Sequence, residues 1–149
     1  MAAAALSFVD RAEIEHTCTG LCLDYSYFAD SSQMDAWAAL FAEDAEMVLM
    51  GQVHKGRAAI RASVNTDNRD AVATYHSLSN IRIAILSDTD ARGTVGIVLY
   101  AAPKVNGVGS ASSLAPAAIG AYHDTYRKTA EGWRFARREF VPSMMRTQT

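Results

Sequence analysis

The side chains of this 149-residue sequence with most to offer chemically are four histidines, His16, His54, His76 and His123, and two cysteines, Cys18 and Cys22. An imidazole has an unperturbed pKa of about 6.5, nearer to working pH than any other side chain. His76, within a run rich in β-branched and aromatic residues, could therefore take a proton from carbon beside a carbonyl or leaving group. No pair spacing among the histidines and cysteines matches a metal site, so no metal and no cofactor is expected. Cys18 and Cys22 stand four apart in a helical pattern and read as small core residues, not as a disulfide. His54 lies in a glycine-bracketed turn and is expected at the surface. His123 alternates with Tyr122 and Asp124, so one of these two faces points inward. Arg137 and Arg138 are adjacent on a strand and point to opposite faces, one of them toward solvent or a subunit interface.

These residues need elements to place them. From Asp10 to Ala29, apolar residues at Ile14, Cys18, Leu21, Cys22, Tyr25 and Phe28 form one stripe of a helix. A second stripe, Thr19, Leu23, Tyr27 and Asp30, lies opposite and is expected to line a cavity that Asp30 overlooks. Ser32 to Asp35 has the form of a capping box, followed by a short second helix through Phe41. Ala45 to Met50 reads as a strand, Arg57 to Val64 as a third helix and Asn65 to Asp70 as a polar loop. Four strands follow, at Ala73 to Leu86, Arg92 to Ala101, Ala117 to Lys128 and Gly132 to Val141. Short turns at Ser87 to Asp90 and Thr129 to Gly132 join two pairs of them, while Pro103 to Pro116 reads as a long mobile loop. The order ααβαββββ predicts an α+β fold, with the helices packed in a strongly curved, mostly antiparallel sheet.

Composition narrows the function classes. Fourteen basic and sixteen acidic residues give a formal charge of −2, without the basic footprint that nucleic acid or an anionic membrane surface would need. No stretch reaches the roughly 20 apolar residues of a membrane span. The N-terminal apolar residues lack a basic leader, so a cytoplasmic protein is expected. The length predicts one domain over 1–149, with tails at 1–9 and 141–149.

Six segments stand in an order that resembles the SnoaL-like branch of the nuclear-transport-factor-2-like superfamily, over about Asp10 to Phe140. They are Arg11-Ala12-Glu13-Ile14, Tyr27-Phe28-Ala29-Asp30, Trp37 through Ala45, Gly56 through Ile60, Tyr75 through Asn80, and Gly132 through Arg138. The resemblance implies a cone-shaped α+β barrel. Within the superfamily the site pattern is similar to that of lyases such as scytalone dehydratase, a hexachlorocyclohexane dehydrochlorinase and a bile-acid dehydratase. It implies catalytic roles for Asp30 and His76, the carboxylate holding the ring in one tautomer and stabilising the imidazolium. A tyrosine would complete the group: the resemblance favours Tyr25, helical phase favours Tyr27, and both stay open. The supporting arginine of the dehydrochlorinase would fall at Lys128.

Leu23, Tyr27, Trp37, Leu78, Met47 and Leu49 are expected as apolar walls around a substrate, with Val48 and Met50 as the alternative strand face. The expected ligand is a small hydrophobic molecule, cyclic or aromatic, and the expected reaction a proton-transfer elimination or isomerisation. A polyketide-cyclase-like enzyme, a non-catalytic binding or assembly domain, and the small subunit of a ring-hydroxylating oxygenase are the rival readings. A homodimer or homotrimer is expected, because an open sheet face is commonly covered by a second copy.

Overall fold

The computed structural model describes residues 5–64 and 69–147. Helix α1 (Phe8–Asp30) and helix α2 (Met34–Ala39) precede β1 (Phe41–Leu49) and β2 (Gln52–Lys55). Helix α3 (Arg57–Ser63) then leads to β3 (Val72–Ile85), β4 (Asp90–Val105), β5 (Val108–Gly109), β6 (Ala118–Thr129) and β7 (Gly132–Met145). The sheet runs β2-β1-β7-β6-β4-β3, with β5 paired to β4. Every pairing is antiparallel except β1 with β7. Three helices followed by a curved sheet match the predicted fold class, with β2 and β5 as short additions.

A genuine capping box starts α1, where Ser7 and Asp10 exchange side-chain and backbone bonds. The helix buries one face, through Ile14, Cys18, Leu21, Cys22, Tyr25, Ser26 and Ala29. Leu23 and Tyr27 are 52% and 63% exposed, which corrects the expected second cavity-lining stripe. Helical residues two positions apart differ by about 200° in phase, so with Tyr25 inward Tyr27 must point out. Ser32 to Asp35 makes no capping box: Ser32 takes a left-handed backbone (φ 59°) and Gln33 caps α2 without a side-chain bond.

Strand β1 begins at Phe41, four residues before the predicted start. The helical spacing of Trp37, Ala38 and Phe41 arises because all three reach the same core, from two different elements. The predicted long loop is strand in its first part and irregular from Ser110 to Ala117. Strand β4 continues to Val105, and Asn106-Gly107, both at positive φ (52° and 80°), turn the chain into β5. The polar loop predicted at 65–70 falls largely outside the described residues, with Arg69 and Asp70 at its end.

The C-terminal tail is also corrected, since β7 runs to Met145 and pairs Ile119 with Met144. A register shift between Ile119 and Gly120 admits Pro142 opposite Gly120. A Cβ on Gly120 would lie 2.3 Å from the Val141 carbonyl oxygen, so only glycine fits that crossing. This extra length carries Met145 to the lining of an internal cavity that Phe140 also borders. Among the described residues no helix is long and apolar enough to cross a membrane.

Candidate active site

Asp30 ends α1 and His76 lies on β3, the strand against which α1 packs. The imidazole Nδ1 is 2.6 Å from Asp30 Oδ1, and the His76 backbone N–H donates to Oδ2 at 2.8 Å. Thr74, two residues earlier on the same face of β3, donates its hydroxyl to Oδ1 at 3.0 Å. Both carboxylate oxygens are therefore engaged. Burial pushes the Asp30 carboxyl up, but the bonds from the His76 ring and backbone and from Thr74 hold it below its ordinary value. The carboxylate is thus ionised, and it can accept the Nδ1 proton. Nε2 then has no hydrogen-bond partner among the described residues.

His76 borders a cavity of about 300 Å³ enclosed by α1, α2 and the concave face of the sheet. Tyr25, Trp37, Leu49, Ile97, Leu99 and Phe140 contribute to its largely apolar wall. Tyr25 is the tyrosine on the cavity side; its ring stands edge-on to the imidazole, with centroids 6.3 Å apart. Burial pushes its phenol above the usual value, against the pull of the Arg138 charge, so it stays a hydrogen-bond donor.

The other predicted wall residues divide. Trp37 and Leu49 line the cavity, as does Met50 from the alternative strand face. Met47 is fully buried in the core and does not line the cavity. Leu23, Tyr27 and Leu78 border a separate groove on the outer side, between α1 and β3, which also reaches Asp30 and His76. Of the remaining histidines, His123 is exposed on the outer sheet face, opposite the buried Tyr122 and Asp124. His54 is half-buried on β2, not in an exposed turn. Cys18 and Cys22 are both free and buried, and burial pushes the Cys18 thiol up to about 12.

Sequence reasoning missed what supports Tyr25. The Arg138 guanidinium is fully buried, 4.1 to 4.2 Å from the ring centroids of Tyr25, Tyr122 and Phe135. Its Nε and Nη2 each donate to Asp124 at 2.8 Å, a two-pronged pair with both side chains inaccessible to water. The Tyr126 hydroxyl donates to the same carboxylate at 2.9 Å and lies 3.0 Å from Cys22 Sγ. Burial alone would lower the guanidinium, but the Asp124 charge and hydrogen bonds hold it well above its ordinary value. The positive group behind the cavity is thus Arg138, whereas Lys128 is exposed at the end of β6.

The signal for Asp124 was present, since Tyr122, Asp124 and Tyr126 alternate on one face and an inward aromatic pair carries the aspartate with it. Arg138 gave none. Alternation from Trp133 and Phe135 points Arg137 inward, but a register shift at Ala136 reverses the phase and turns Arg138 in. Arg69, which lines the cavity mouth, was assigned only to a polar loop. Among the described residues no cluster of three or more His, Cys, Asp or Glu side chains could hold a metal.

A one-sided α1, a concave sheet and a His-carboxylate contact at the wall of an internal cavity define a cone-shaped α+β domain. The SnoaL-like domain model matches residues 10–139, and the chain belongs to that family. Among solved structures it is similar to a protein provisionally named scytalone dehydratase from Novosphingobium aromaticivorans, at 25% identity and a TM-score of 0.78, covering 93% of this chain and 89% of that one. It is also similar to an NTF2-like protein with a cystatin-like fold from the same organism, at 29% identity and a TM-score of 0.68, covering 90% and 82%. A hexachlorocyclohexane dehydrochlorinase shares the fold at 20% identity and a TM-score of 0.72, covering 95% and 98%. No curated protein matches the chain.

Proposed function

We propose that this protein is a lyase or isomerase that moves a proton on a hydrophobic, cyclic or aromatic small molecule without a cofactor. The observation that carries the reading is the 2.6 Å contact between His76 Nδ1 and Asp30 Oδ1 at the wall of an apolar cavity. With the Nδ1 proton committed to Asp30, Nε2 is the basic nitrogen. It takes a proton from substrate carbon, the electron pair left behind expels a leaving group from the neighbouring atom or moves into a conjugated carbonyl, and Asp30 stabilises the imidazolium. Tyr25, a protonated phenol beside the imidazole, donates to the oxygen or leaving group that gains charge. Dehydration and other β-eliminations are the favoured reactions, because similar structures carry the names of a dehydratase and a dehydrochlorinase. Isomerisation and ring closure use the same first step.

A substrate screen of cyclic β-hydroxy and β-halo ketones, followed by His76→Ala and Asp30→Asn, tests the reading. Each substitution should lower kcat/KM by more than about tenfold, or about 1.4 kcal/mol in transition-state stabilisation. Turnover that survives His76→Ala within tenfold would sink the mechanism and leave a binding domain as the better account.

A further inference from the structure

The cavity holds a second polar feature that proton transfer at His76 does not use. Arg69 reaches its wall half-buried and is held at both ends. Its Nη1 donates to the Ala29 carbonyl at 2.8 Å, one residue before Asp30, and its own carbonyl accepts from Lys104 Nζ at 2.9 Å. A guanidinium presents five N–H donors in a fixed plane, and the Ala29 carbonyl takes one. Burial lowers this group from its usual value, partly offset by Tyr25 and Asp30, so the charge stands at the cavity with less water than it would otherwise have.

Around it, polar capacity is limited. Both Asp30 oxygens are occupied by His76 and Thr74. Apart from His76 and the hydroxyls of Tyr25, Tyr122 and Thr74, the described cavity walls are hydrocarbon, and Arg69 is their one permanently charged side chain. An apolar molecule alone would take water from the guanidinium donors that Ala29 does not use and leave them without partners, which is unfavourable.

We infer that Arg69 is a substrate-binding residue that pairs with a carboxylate, so that the substrate is an apolar ring acid rather than a neutral hydrocarbon-like compound. The ring lies against Leu99 and Phe140. The planar fork of arginine suits a carboxylate, which can accept two parallel N–H bonds. This deepens the proposed function and rests on its reading of the cavity as the substrate site. It concerns binding only, so it stands or falls apart from turnover at His76.

The test is isothermal titration calorimetry of the full chain with 2-naphthoate and its neutral isostere 2-naphthamide, in wild type, Arg69→Gln and Arg69→Lys. Wild type should bind the acid at least about tenfold more tightly than the amide. Arg69→Gln should remove that preference while leaving amide affinity within about twofold, and Arg69→Lys should keep part of it. If Arg69→Gln fails to fold, the wild-type acid and amide affinities decide the matter. Naphthoate binding no tighter than naphthamide, including no binding of either, would overturn the inference, as would an equal loss for both ligands in Arg69→Gln.

Discussion

Replacing Asp124 by Asn strands the buried guanidinium on which the cavity aromatics rest. In the native protein Arg138 and Asp124 share two bonds of 2.8 Å, and neither side chain is exposed. Breaking such a pair from one side costs about 3–5 kcal/mol, because the remaining charge stays in a poorly solvated interior. For a domain of this size about 1 kcal/mol moves the melting temperature by roughly 2–4 °C, so Asp124→Asn should melt roughly 6–20 °C lower. Removing both partners is a different perturbation. Asp124→Leu with Arg138→Met leaves no uncompensated charge, and this double variant should recover most of the lost stability. Urea unfolding followed by circular dichroism gives the free energies directly. A loss below about 1 kcal/mol in Asp124→Asn, or a double variant no more stable than the single, would refute the reasoning that the pair is a buried unit.

Two further outcomes follow from the same environment. Because the Asp30 carboxyl is held below its ordinary value in the folded chain, its contribution to stability is complete above the unfolded carboxylate pKa of about 3.9 and is lost as pH falls through the lower folded value. Acid unfolding of Asp30→Asn should accordingly be less steep over that window, and an unchanged acid limb would contradict the hydrogen-bonded carboxylate. Cys18 and Cys22 are buried thiols pushed up by desolvation, Cys18 to about 12, so a thiol-specific disulfide reagent should label neither in the native protein and both after unfolding. Rapid labelling of native protein would show that α1 opens away from the sheet.

The order of elements was legible because helix and strand periods differ, and helices followed by long β-branched runs leave few packings. The candidate site was partly legible. The pairing of Asp30 with His76 came from resemblance, and the structure places them in contact across α1 and β3. Choosing between Tyr25 and Tyr27 needed the rotational phase of α1, which two competing stripes left open until one was seen to be solvent-exposed. Arg138 was hidden for a different reason. A single extra residue in β7 inverts the inside-outside alternation, and no local composition marks that bulge. The ends of strands were lost where tertiary pairing overrides propensity: Pro142 would end an isolated strand, yet β7 continues because the shift at Gly120 accommodates it. Arg69 looked like any charge in a polar loop, and only its placement on the cavity distinguishes it.

The state of the His76 ring tests the central claim most directly and needs no substrate. Nitrogen NMR spectroscopy of the imidazole, at a pH where it is neutral, reports which ring nitrogen carries the proton. The account predicts the Nδ1–H tautomer in the native protein, with the proton facing Asp30 and Nε2 left as the base, and reversion toward Nε2–H in Asp30→Ala. An Nε2–H tautomer in the native protein, or a tautomer indifferent to loss of Asp30, would contradict it.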